Sequence, residues 1–215
     1  MNTGDRNGAG AFITLEGIDG SGKSSQAERL AEHLRARGRK VLVTFDPGGT
    51  PAGDEIRRVI LRRDKARAVG DHFAEAFLYL ASRRLLVTSV IRPALRAGTT
   101  VLCDRFTDST LAYQGFGRGL PLDELERMCR LAADDLEPGL TLWLDLDPAA
   151  ALSRVGRADR LESAGLEFQR RVREGYRFLA ARAPERIKPV DASGTPEEIF
   201  RLVRRAVEGF FDHDR

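Results

Sequence analysis

The chain constrains its own fold most tightly where the apolar run AFITLE ends and GIDGSGKSS begins. Gly17, Gly22, Lys23 and Ser24 complete the spacing G-x-x-x-x-G-K-[ST], with Ile18, Asp19, Gly20 and Ser21 between them. A strand must enter this segment and a helix must leave it: Leu30 and Leu34 share one helical face, and Gly38 supplies a stop. A plain turn needs one glycine and no lysine. Several glycines let backbone N–H groups converge on a polyphosphate with no side chain in the way. The helix N-terminus adds partial positive charge, the lysine reaches the β- and γ-phosphates, and the serine hydroxyl suits Mg²⁺. Nucleotide binding by residues 17–24 is the expectation.

The rest of the chain alternates strand and helix. Short apolar runs rich in β-branched residues stand at 11–16, 40–45, 99–104, 140–146 and 187–192, the last limited to an edge or a strand end by Pro189. Between them lie a helix from about Lys23 to Arg37 and a long one over 71–91 that Pro93 should disturb. Further on, Asp147 caps a helix opened by Pro148, and Thr195 with Glu198 forms a capping-box pattern before 195–211. This order predicts an α/β three-layer sandwich around a parallel sheet, in one domain over 11–215, preceded by a flexible polar extension at 1–10.

Bulk properties exclude several classes. At 215 residues and 42% hydrophobic content the chain suits one α/β domain, and no apolar run approaches a membrane span. Cys103 and Cys129 fit a reducing cytoplasm better than a disulfide framework, and the three histidines show no metal-ligand spacing. A net charge of +3 argues against a nucleic-acid partner. A guanine-nucleotide switch needs an N-K-x-D segment, whereas the only asparagines, Asn2 and Asn7, precede the glycine-rich loop. Four of 35 basic residues are lysine, so Lys23 carries more information than any one arginine.

A kinase acting on a small metabolite needs an acceptor pocket and cations that offset charge during transfer. Asp104 and Arg105 stand directly after the third strand, at the sheet edge where ligands gather. Arg154, Arg157 and Arg160 share a glycine-containing segment, 153–162, suited to a lid over phosphates.

Taken in order, LEGIDGSGKSS, DPGGT, DRFTDSTLAYQG and DRLE make the chain resemble the thymidylate kinases, phosphate-loop nucleoside monophosphate kinases, from about Phe12 to Phe211. The resemblance implies a five-stranded parallel sheet of the P-loop NTP hydrolase-like fold, a mobile lid and a cytoplasmic homodimer. It implies transfer of the ATP γ-phosphate to dTMP, giving dTDP, with Mg²⁺ held at Ser24 and, through water, at Asp104. Asp19 would meet the 3′-hydroxyl of dTMP and Arg105 its phosphate and the transferring group. Tyr79 would stack on thymine and Arg83 donate to O4. Ser109, Thr110, Tyr113 and Gln114 would line sugar and base, with Tyr113 the barrier to a ribose hydroxyl. Gly20 replaces the loop arginine of one branch of the family, which leaves Arg154, Arg157 or Arg160 to supply the catalytic lid arginine. Phe45 stands where the family's R-E-P-G-G-T has its arginine. A related kinase for another monophosphate is therefore the alternative.

Overall fold

In the computed structural model, which describes residues 10–62, 70–155 and 161–213, five parallel strands form one sheet. They are β1 (Phe12–Glu16), β2 (Val41–Phe45), β3 (Thr100–Asp104), β4 (Leu140–Asp145) and β5 (Ile187–Asp191), in the order β2-β3-β1-β4-β5. β1 is buried along its whole length because it lies mid-sheet, paired with β3 and β4. Pro189, which has no N–H to give a ladder, sits on the edge strand β5.

The helices are α1 (Lys23–Ala36), α2 (Pro51–Ile60), α3 (His72–Leu86), α4 (Arg92–Arg96), α5 (Thr107–Thr110), α6 (Leu122–Ala133), α7 (Pro148–Val155), α8 (Leu161–Arg182) and α9 (Pro196–His213). Right-handed crossovers send the step from β1 to β2 over one face and the later steps, which run the opposite way, over the other. Contacts follow that rule: α1 packs with α9, while α3 packs with α6 and α8 with the segment after α5.

Pro93 does not end the long helix. Residues Val87–Ile91 form a π-helical turn and α4 carries on through the proline. Proline lacks an N–H and its ring crowds the carbonyl four residues back, and the wider turn just before it relieves both. The caps form as expected: Asp147 accepts from Ala149 N at 2.9 Å, and Thr195 and Glu198 bond reciprocally. The expected extension at 1–10 lies outside the described residues except for Gly10, as do 156–160 of the expected lid.

Candidate active site

The chain leaves β1 toward α1 on one face and β3 toward α5 on the other, and these two strands are neighbours. Such a divergence opens a crevice at the carboxyl ends of the strands. With Leu15 in register with Asp104, the loop 17–22 and the segment from Arg105 onward form its two walls.

The loop is shaped for an anion. Gly22 begins α1 in the left-handed region, φ 92°, and the helix has no side-chain cap and no acidic residue in its first turn. Its free N–H groups and positive dipole end are left for a ligand. At Gly17, φ 137°, a β-carbon would come within 2.6 Å of the Leu144 carbonyl, so glycine is required twice over. Lys23 is buried and donates to the Ile18 carbonyl at 2.8 Å. Burial lowers its pKa from 10.5 to about 8, with Arg105 adding to the effect and Asp104, Asp19 and Glu16 opposing it.

Ser24 Oγ donates to Asp104 Oδ2 at 2.5 Å, and Asp104 Oδ1 is buried without a partner among the described residues. A hydroxyl and a carboxylate with an orphaned oxygen are hard oxygen donors of the kind Mg²⁺ takes.

Arg105 spans the crevice. Its Nη1 donates to the Gly17 carbonyl at 3.0 Å and to Ser109 Oγ at 3.1 Å. Its Nη2 donates to Asp19 and to the Tyr113 hydroxyl at 3.3 Å. The residue holds φ 72°, uncommon for anything but glycine, and such strain persists only where the surroundings enforce it. Enforcement comes from Glu16, which is buried at the end of β1. Its Oε1 accepts from Phe106 N at 2.7 Å and its Oε2 from the Ser109 and Tyr176 hydroxyls.

Glu16 is pushed from 4.5 up to about 7, first by burial and then by Asp108, while Ser109, Arg105 and Tyr176 pull it back. A carboxyl whose folded pKa is raised adds stability that is complete below about 4.5 and is lost as pH rises through about 7. Glu16→Gln, whose amide donates to the two hydroxyls instead, is expected to flatten that part of the profile. Urea midpoints at about pH 5 and about pH 8 check it; an unchanged difference between them would assign the slope to another group.

A cleft of about 390 Å³ lies over these groups, lined by Asp19, Lys23, Ser24, Asp104, Arg105 and Arg154 among others. Exposed Arg154 donates to the carbonyls of Ala192 at 2.9 Å and Ser193 at 3.1 Å, which ties α7 to the loop after β5. Arg157 and Arg160 lie outside the described residues.

Three comparisons bear on identity. A family profile for thymidylate kinase matches residues 15–203. The thymidylate kinase of Deinococcus radiodurans is 50% identical over 201 residues, covering 92% of this chain and 96% of that one. That of a Synechococcus strain is 48% identical over 197 residues, covering 92% and 94%. The chain belongs to the thymidylate kinase family. The crystal structure of thymidylate kinase from Ehrlichia chaffeensis superposes with a TM-score of 0.76 at 31% identity, covering 93% of this chain and 99% of that one. The alternative prompted by Phe45, a related kinase for another monophosphate, is not favoured.

Family membership sharpens the question of Phe45, which is partly exposed at the cleft edge. Arg57, on α2, lines the same cleft; its guanidinium lies 5.2 Å from the Phe45 ring centroid and donates to the Pro47 carbonyl at 2.8 Å. A cation therefore stands beside the position from which the family's usual arginine is missing. Its signal in the sequence was the amphipathic stretch after Thr50, whose hydroxyl caps α2.

Arg83 differs from expectation. Instead of offering a free guanidinium to the cleft it is 1% exposed, with Nε on Asp46 at 2.6 Å and Nη2 on the Phe106 carbonyl and Thr110 Oγ1 at 3.1 and 2.8 Å. An uncompensated buried carboxylate draws the cation inward. Nη1 has the weakest partner, Cys129 Sγ at 3.6 Å. Tyr79 is half-buried on α3, and Tyr113 lies near it: burial holds the Tyr113 phenol above its usual value, with Asp19 and Tyr79 adding to this and Arg105 opposing. Ser109, Thr110 and Gln114 are all buried beside these groups.

Proposed function

We propose that the cleft transfers the γ-phosphate of ATP to dTMP, with the loop 17–24 taking the donor and the wall from Arg105 to Gln114 taking the acceptor. The observation that carries this reading is Arg105, which bonds both walls at once. A group in that position can follow charge as it moves from donor to acceptor. Asp19 meets the sugar hydroxyl, Arg105 and Arg57 the acceptor phosphate, and Tyr79 the base. Arg83, held on Asp46 and Thr110, is the donor to O4. Arg154, Arg157 and Arg160 supply lid cations. Ser24 and Asp104 hold Mg²⁺, which when bound offsets charge on the β- and γ-phosphates.

The same reading includes a cytoplasmic homodimer. Phe77 on α3 and Leu131 on α6 expose large apolar side chains on helices that pack together, a surface of the kind copies cover. Light scattering in solution tests it, and a monomer at micromolar concentration would overturn it.

The decisive experiment is coupled ADP release with dTMP, dUMP, dCMP, dGMP and AMP. dTMP is expected to lead. dUMP, lacking one methyl, should lose on the order of 1 kcal/mol, and dCMP more, about 1–3 kcal/mol, because it sets a donor against a donor. Equal kcat/KM for dTMP and dCMP would overturn the base assignment.

A further inference from the structure

Gln114 lies in the π-helical stretch Leu111–Gly117 that continues α5, and the residue is 3% exposed. Its Nε2 donates to Glu75 Oε1 at 2.9 Å, while Glu75 Oε2 faces Arg118 Nη2 at 3.4 Å. Glu75, Tyr79 and Arg83 stand four residues apart on α3 and so share one face of that helix. Across from them, Arg83 bonds Thr110 and Glu75 bonds Gln114. Tyr79 thus sits between two cross-links to the same segment.

A carboxylate paired with an arginine offers acceptors only. The two ends of a glutamine amide have nearly the same shape, so its neighbours decide which way it faces. Glu75 takes the NH₂, which turns Oε1 away from it, and Oε1 accepts no hydrogen bond among the described residues. Thymine and uracil carry an N3–H donor, whereas cytosine carries a bare N3 acceptor. An amide held with its oxygen outward accepts from the former and opposes the latter.

We propose that Glu75 is a specificity-positioning residue: by orienting the Gln114 amide it makes the acceptor site select pyrimidines that bear an N3–H. This rests on the reading above that Gln114 borders the base. Glu75 itself touches no substrate and takes no part in transfer.

The test compares kcat/KM for dTMP and dCMP in the full-length wild type, Glu75→Gln, Glu75→Asp and Gln114→Leu. Where turnover of dCMP is too slow, dissociation constants by calorimetry replace the rates. In Glu75→Gln the neighbouring amide can pair with Gln114 in either orientation. The dTMP:dCMP ratio is expected to fall at least about tenfold, within the range of one mismatched buried hydrogen bond. Glu75→Asp keeps acceptor-only chemistry and should hold most of the ratio even if the protein melts earlier. A merely structural role would lower both substrates together and leave the ratio alone. If Gln114→Leu lowers the ratio and Glu75→Gln does not, the positioning role is overturned while the base site stands. If Gln114→Leu leaves the ratio unchanged, the placement of Gln114 at the base fails, and the proposal with it. Should Glu75→Gln not fold, Glu75→Leu removes the same restraint and is held to the same ratio.

Discussion

Lys23→Met is expected to lose turnover by at least about two orders of magnitude and yet to melt at a higher temperature than the wild type. The first effect follows from position. Lys23 opens α1 at the base of the loop, where the proposed reading sets the β- and γ-phosphates, and removing a cation that offsets their charge costs roughly 3–4 kcal/mol in the barrier. The second follows from burial. The ammonium is buried and donates to the Ile18 carbonyl, and burial has drawn its pKa from 10.5 to about 8. A lysine whose folded pKa is lowered costs stability wherever it must stay charged, so the cost is full below about 8 and fades as pH rises toward 10.5. Methionine has similar length and no charge to bury, and the relief is on the order of 3 kcal/mol. Coupled ADP release and scanning calorimetry near neutral pH check both halves. Turnover above a tenth of wild type would refute the phosphate role, and a lower melting temperature would show that the bond to Ile18 outweighs burial.

Arg105→Lys should fail almost as badly as Arg105→Met, each losing about two orders of magnitude or more in kcat/KM for dTMP. The guanidinium serves Gly17, Ser109, Asp19 and Tyr113 at once, from both terminal nitrogens. An ammonium is a point charge with no planar fork and cannot meet groups on two walls together. The left-handed backbone at φ 72° remains in either variant, so the strain stays while the clamp that exploits it is gone. Kinetics with each substrate varied in turn distinguish this from lost packing. Recovery to within a factor of about ten by the lysine variant would mean that charge alone, and not the fork, is what the site uses.

Much of this architecture is legible residue by residue. The five strands fall within a residue or so of the apolar runs, and α1 begins at the lysine that the loop pattern singles out. Asp147 and the Thr195–Glu198 pair cap the helices they precede. These features are local: backbone preferences, hydrophobic period and capping act over a few positions, so a stretch of chain carries them whatever surrounds it. The glycine-rich loop proposed to take the donor phosphates is local in the same sense, since its glycines, lysine and serine are all within eight residues.

What only the tertiary structure decided is which distant groups meet. Arg83 reads as a donor for a base when seen as one turn beyond Tyr79, yet Asp46, 37 positions away, takes its Nε. Glu16 reads as the last residue of an apolar strand; its partners at Phe106, Ser109 and Tyr176 arrive only because β3 lies beside β1 and α8 packs on the segment after α5. Arg57 reaches the cleft because α2 folds back against α3, and Glu75 finds Gln114 across the gap between α3 and the π-helical stretch. Such pairings depend on strand order and helix packing, which are properties of the whole chain. A buried charge or amide takes whatever partner those place within 3 Å, because leaving it unpaired costs more than any local preference can offset.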